Sequence, residues 1–398
     1  MSPEPSAPIG LVLPGGGARA AYQAGAISAI AGMLPPGRSP FHVIAGQSAG
    51  AINAAGLACR AGDFRDAAAR MVAAWSRLRV SDVMRTDLPS TGRRALIWAL
   101  TAASGGWLVE NPRSFFDNSP LAEMLAREID FRGIETAIAR GDLGALAVTA
   151  SVYSGESGQA VTFFAGGPEN REWARMRRCG LRGSIGPEHV MASAALPYLF
   201  PAQEIGGQFY GDGALRLTAP LSPAIRLGAR RLLVIAARDP EVPAIGQMAP
   251  SAYPSLAEIA GHMLDILFND HLDTDLERLT RINRTLSLFA PEQLAETELR
   301  PVEVVVLRPS RDLREIAGRH ARALPWTMRT LLRGIGGWGG DWRLPSYLNF
   351  DSGYCGELIA LGHADAMANR DALMELFRDA APAGDLPPQA APLSSPEV

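Results

Sequence analysis

Twice within the first 60 residues the chain uses the same device. A short apolar run stops at glycine, and an alanine-rich stretch follows. "IGLVLP" (9–14) leads through "GGG" into "ARAAYQAGAISAIAGML", which ends at "PPG", and "FHVIAG" (41–46) leads through "QS" into "AGAINAAGLACRAG". Short apolar runs closed by glycine read as buried strands, and alanine-rich runs stopped by proline or glycine read as helices. A strand–helix–strand–helix order restricts the chain to the α/β class with a mainly parallel sheet. Further strands are expected at "LGALAVTASVY" (143–153) and "QAVTFFAG" (159–166), joined by the turn-rich "SGESG", and at "RRLLVIAA" (230–237) and "VEVVVLRPS" (302–310). The patterns at 255–287, 311–336 and 352–378 read as helices. The expected organisation is a flexible terminus over 1–8, a core over 9–237, a mostly helical extension over 238–378 packed on that core, and a disordered Pro/Ala-rich tail over 379–398.

Composition narrows the function classes. With 47% hydrophobic and 20% charged residues the chain has the make-up of a globular protein. A net charge of −3 supplies no bulk attraction to nucleic acid, so no nucleic-acid partner is expected. All 38 basic residues are arginine, which we read as compositional drift rather than mechanism. Cys59, Cys179 and Cys355 are odd in number and lack metal spacing, so reduced, buried thiols and no metal site are expected. The first ten residues lack the pattern of a signal peptide, and no apolar run reaches the roughly 20 residues that span a bilayer. The expected location is the cytoplasm, with peripheral contact at a membrane.

Three short stretches carry chemistry. "GQSAG" (46–50) fits the nucleophile-elbow pattern G-x-S-x-G. Gly46 and Gly50 remove side chains where strand and helix nearly collide, and Gln47 and Ala49 frame Ser48 at the turn, so its hydroxyl is lifted out at a helix start. "GGGARA" (15–20) exposes backbone N–H groups at another helix start, where negative charge is favoured. A dinucleotide fingerprint would require an acidic residue near the end of the second strand, and "AGQS" stands there instead; a P-loop would require Gly-Lys-Ser/Thr. The oxyanion reading is therefore preferred for Gly15, Gly16, Gly17, Ala18 and Arg19.

The third stretch is "FYGDGALRLTAPLSPAIRLGA" (209–229), with Asp212 in a glycine turn after a short strand. An ordinary Asp-Gly turn is one reading. A serine nucleophile also needs a base, which makes Asp212 a candidate. A Ser-Asp-His triad could recruit His262, His271, His320 or His363 by chain order, and spacing leaves that open.

Together "GLVLPGGGARAAYQAGAI", "AGQSAGAINAA", "ASAALPYLFP" and "YGDGALRLTAPLSPAIRLGA" resemble the patatin-like phospholipases, in the right order over roughly 9–237. The tail "LRPSRDL…SYLNFDSGY…LIALGHADA" resembles C-terminal extensions of bacterial members. The resemblance implies a three-layer α/β/α sandwich with an added C-terminal helical region. It implies a Ser–Asp dyad without histidine, Ser48 as nucleophile, Asp212 as base with Gly213 and Ala214 in the base motif, and an oxyanion loop over Gly15–Arg19. Where that family usually has glycine, this chain has Ala20.

The implied activity is hydrolysis of a carboxylic ester in a phospholipid or other long-chain acyl ester, through an acyl-serine, with no metal, calcium or organic cofactor. An acyltransferase or thioesterase using the same serine, and a non-catalytic lipid-binding protein, are the alternatives. Three weaker signals each carry two readings. "RRALIWALTAASGGWLV" (93–109), with Trp98 and Trp107, reads as a buried core helix or as an interfacial lid. "LPWTMRTLLRGIGGWGGDW" (324–342) suits surface packing or a membrane contact, and the basic run 171–182 a solvated face or a lipid-phosphate contact.

Overall fold

The computed structural model describes residues 7–87, 113–153, 158–237 and 253–378 apart from 298, with six isolated positions between 92 and 107. The terminus 1–6, most of the 93–109 segment, the "SGES" of the turn at 154–157 and the tail 379–398 lie outside the described residues.

One mixed sheet organises the rest. Its central block is parallel: β10 (Glu303–Leu307), β9 (Arg231–Ile235), β1 (Ile9–Leu13), β2 (Val43–Gln47) and β3 (Ala145–Val152), in that spatial order. β4 (Ala160–Gly166) runs antiparallel to β3, and β5 (Trp173–Arg175) and β6 (Arg178–Arg182) form the far edge. A hairpin of β7 (Gln203–Ile205) and β8 (Gln208–Asp212) joins through β8, antiparallel to the end of β3. After β1 the chain fills one side of the sheet through β2 and β3, and later the other side through β9 and β10. The loop after β1 therefore lies beside the point where strand order reverses, the place where open α/β sheets leave a crevice.

Alternating side chains give the sheet two apolar faces. Leu11, Leu13, Ile44, Val148, Leu233 and Ile235 enter one core cluster, while Val12, Val43, Ala45, Ala147, Leu232 and Val234 enter the other. Onto the first face pack α1 (Ala21–Met33), α2 (Ala49–Ala58), α3 (Phe64–Arg77) and the helix Ser352–Ala368. Onto the second pack the helices Ser222–Arg226 and His271–Leu286. This is the three-layer α/β/α arrangement that the sequence predicts. α1 is buried on nearly every side, consistent with a run in which alanine and isoleucine leave no polar face.

The helical stretches are more broken than their patterns suggest. Pro325 separates Leu313–His320 from Trp326–Gly334, since its ring and missing N–H end a helix. Between Leu256–Asp265 and His271–Leu286 lies a π-helical turn, Ile266–Asp270. The basic run 171–182 forms the β5–β6 hairpin, where charges protect an edge strand from pairing with another chain. Cys59 and Cys179 are free but only partly buried, so the expectation of buried thiols holds fully for Cys355 alone. Among the described residues no helix is long and apolar enough to cross a membrane.

Candidate active site

The site forms where β3 changes neighbours. Gln47, the last residue of β2, pairs with Thr149, and the next residue of β3, Ala150, pairs with Asp212 at the end of β8. Ser48 and Asp212 therefore leave the sheet side by side, although 164 positions separate them.

Ser48 departs from β2 at φ 53 and ψ −132, in the left-handed half of backbone space that a residue with a Cβ seldom adopts. It is also the N-cap of α2. The flanking glycines make the bend sterically allowed. A Cβ on Gly50 would lie 2.0 Å from the Leu13 carbonyl oxygen, and one on Gly46 would lie 2.4 Å from that of Gly50. α2 thus starts pressed against the ends of β1 and β2, with Ser48 at its tip.

Asp212 is fully buried. Its Oδ1 accepts the Ala214 N–H at 2.9 Å, while Oδ2 has no aligned hydrogen-bond donor among the described residues. Loss of water pushes its carboxyl up to about 7, and the Ser48 hydroxyl and Ala214 N–H offset part of that rise. The serine side chain is therefore close enough to stabilise the carboxylate, yet short of an aligned hydrogen bond. Such loose geometry is common at sites without substrate.

A segment that sequence reasoning gave no role holds both residues. The helix Pro187–Ser193 ends against them. Ser193 Oγ accepts the Ser48 N–H at 2.9 Å and donates to the Thr149 carbonyl at 2.6 Å, while the Ala195 carbonyl accepts the Asp212 N–H at 2.9 Å. Three residues of chain thus fix the Ser48 turn relative to the Asp212 turn. The "ASAALP" string contains them, but nothing local in it announces partners on β2 and β8.

The glycine loop lies alongside. A Cβ on Gly15 would fall 2.8 Å from that of Ser48 and 2.5 Å from the Phe268 ring, so the loop is wedged between serine and the π-helical turn. Gly17 sits at φ +54, and a Cβ there would meet the Tyr347 carbonyl at 2.3 Å. Residues Gly17–Ala20 form a 3-10 turn that places its first N–H groups without intrahelical acceptors. Arg19 points its side chain away from Ser48. Its buried guanidinium donates to Ser346 Oγ at 2.8 and 2.7 Å, stacks 3.9 Å over the Tyr347 ring and lies 3.6 Å from Asp265. Its backbone N–H is also engaged, donating to the Gly16 carbonyl at 3.1 Å.

None of the six histidines hydrogen-bonds to Ser48 or Asp212. His262 contacts Arg343 and His320 pairs with Glu357, each on the C-terminal region. Among the described residues no group of three or more His, Cys, Asp or Glu side chains could hold a metal ion.

Ser48 lines the wall of an open-mouthed cavity. Apolar side chains line most of it, among them Ile52, Met71, Trp75, Leu125, Leu196 and Phe350. The polar Asn53 in its wall is satisfied, accepting from Trp75 Nε1 at 2.8 Å and donating to Gln23 at 2.9 Å. Tyr347, Leu348 and Phe350 come from the C-terminal region, so that region forms part of the wall.

A family model described as patatin-like phospholipase matches residues 11–225. No curated protein matches the chain. Among solved structures, human GIVD cytosolic phospholipase A2 aligns with a TM-score of 0.43 at 12% identity, covering 94% of this chain and 60% of that one. This chain therefore spans less than two thirds of that protein's length. The matched stretch takes in more than half of the chain and includes both Ser48 and Asp212, so the chain belongs to the patatin-like phospholipase family.

Proposed function

We propose that the protein is a lipid acyl hydrolase that cleaves carboxylic esters with a Ser48–Asp212 dyad. Family membership supports lipid acyl hydrolysis, and one observation carries the finer reading. A serine on a strained turn faces a buried carboxyl oxygen that has no other donor among the described residues, at the end of an apolar cavity.

Ser48 Oγ attacks the ester carbonyl carbon while Asp212 Oδ2 takes the hydroxyl proton. The Ser48 N–H is occupied by Ser193, so the oxyanion is received by other donors. The Ala49 N–H, first in α2, and N–H groups of the Gly15–Ala18 part of the loop supply them, each typically worth about 2.7–4 kcal/mol in the transition state, whereas the Arg19 N–H is held by the Gly16 carbonyl. The alcohol leaves with the proton from Asp212. Asp212 then activates water, which releases the acid from the acyl-serine.

The substrate is a phospholipid or another long-chain ester, met at a lipid surface. Trp326 and Leu331, on the helix Trp326–Gly334, and Trp107 are exposed apolar groups suited to such contact, whereas Trp98 lies outside the described residues. Incubation with a mixed lipid extract, followed by mass spectrometry of the products, tests the activity. Free fatty acid with a deacylated lipid is expected. Acyl groups moved onto an added alcohol or lysolipid would favour transfer, and an unchanged extract would favour the non-catalytic alternative.

A further inference from the structure

The cavity beside Ser48 has a direction. Its lining follows one face of α2 through Ala49, Ile52 and Gly56, spaced by three or four residues, and reaches Arg60 in the turn just after the helix. Opposite stand Met71 and Trp75 of α3, with Leu121 and Leu125 of the helix Ser119–Glu128 closing the third side. Beyond Gly56 the lining turns polar, at Arg60, Arg70, Arg127 and Glu128. Arg60 lies 3.7 Å and Arg70 2.8 Å from Asp66, so charge marks where the apolar path ends.

Gly56 is the position along this path where the helix offers no side chain. It lines the cavity, and a Cβ built on it meets nothing within 4 Å. Any side chain at this position would enter the cavity instead of colliding with backbone. With a rise of about 1.5 Å per residue, Gly56 lies about 12 Å along α2 from Ser48, and Arg60, in the turn that continues the helix past Ala58, about 18 Å on the same rise. An extended carbon chain with bonds of about 1.5 Å advances roughly 1.25 Å per carbon. Those spans correspond to about ten and about fourteen carbons.

We propose that this cavity is a channel for one long acyl chain of about fourteen carbons or more, and that Gly56, by lacking a side chain, keeps it open beyond about ten. The inference rests on the ester-hydrolase reading, in which the carbonyl carbon is held at Ser48. The acyl tail then runs between α2, α3 and the helix Ser119–Glu128, displacing water from apolar wall. A chain that ends before Gly56 leaves the far half of that wall unfilled, so long acyl groups gain most.

The test compares the parent protein with Gly56→Leu and Gly56→Ala on p-nitrophenyl esters from six to sixteen carbons, alongside titration of free hexadecanoate and octanoate. Neither side chain has backbone to strike, and both are better helix formers than glycine, so thermal melting should confirm folding. In Gly56→Leu the ratio of kcat/KM for the sixteen-carbon ester over the six-carbon ester should fall at least tenfold, with Gly56→Ala in between. A ratio within twofold of the parent's would overturn the proposal, as would an equal fall at every length. If the parent hydrolyses no ester, the hydrolase reading fails, and the acid titration still decides on the channel. Hexadecanoate binding weakened at least tenfold in Gly56→Leu, relative to octanoate, supports it; unchanged chain-length dependence of binding overturns it.

Discussion

The turn at Ser48 and the turn at Asp212 are neighbours on β3, yet they hold their residues in opposite ways. At Ser48 the backbone is forced, with φ at 53, and the side chain is ordinary. At Asp212 the backbone is relaxed, with φ −48 and ψ 133, and the side chain is in distress, dehydrated and only half hydrogen-bonded. On the proposed dyad, the nucleophile is aimed by steric strain and the base is primed by loss of water. Both lower stability, and the fold offsets them through the Ser193 and Ala195 contacts and the packed glycine loop.

The most severe way to break this pairing is to remove either side chain. Ser48→Ala and Asp212→Asn are each expected to lower kcat/KM on a lipid ester by about a thousandfold or more, and the double variant to lose little beyond either. Additive losses would mean that the two residues act separately. Next in size is the clamp between the turns. Ser193→Ala leaves the buried Ser48 N–H without its acceptor, and kcat is expected to fall by about ten- to a hundredfold with KM within about twofold. A rise in KM at constant kcat would assign Ser193 to substrate binding instead.

Stability separates the two turns further. Asp212 binds its proton more tightly folded, with a pKa of about 7, than at its ordinary value of 3.8. Its contribution to folding is therefore fully present below about pH 4 and is lost as pH rises through about 7. Asp212→Asn has no such loss, so relative to the parent it should gain stability from pH 5 to pH 8, by about 1–3 kcal/mol in denaturant unfolding. Ser48→Gly should gain about 1 kcal/mol below about pH 4, where Asp212 is protonated, because glycine accepts positive φ without strain, and that gain should shrink as pH rises, because the lost hydroxyl no longer supports the Asp212 carboxylate. A gain at Ser48 that grows with pH, or a flat one at Asp212, would reverse the assignment of strain.

The sequence makes the first of these turns legible and leaves the second obscure. A strand, a glycine-framed serine and a helix are consecutive, so local steric rules identify Ser48 and predict the sheet around it. Asp212 stands in a turn that Asp-Gly chemistry alone would explain, and only the family resemblance singles it out. Ser193 escapes notice because its partner at Ser48 is 145 residues away, and a hydroxyl between two backbones has no pattern of its own. Phe268 is hidden in what reads as an uninterrupted helix, where the π-helical turn intervenes before it reaches Gly15. Arg19 falls in the oxyanion loop by position, yet its side chain turns to Ser346, Tyr347 and Asp265, a contact that spans most of the chain. Periodicity reports neighbours on one element; the walls of this site come from four distant stretches.

The pH dependence of fluorophosphonate labelling tests the central claim most directly, because it reads the serine, its base and their coupling together. Mass spectrometry should place the label on Ser48, with a labelling rate that rises with pH through an inflection near the Asp212 pKa of about 7. In Asp212→Asn the rate should be low and should lack that inflection. Label on another residue, or the same inflection in the asparagine variant, would contradict the account.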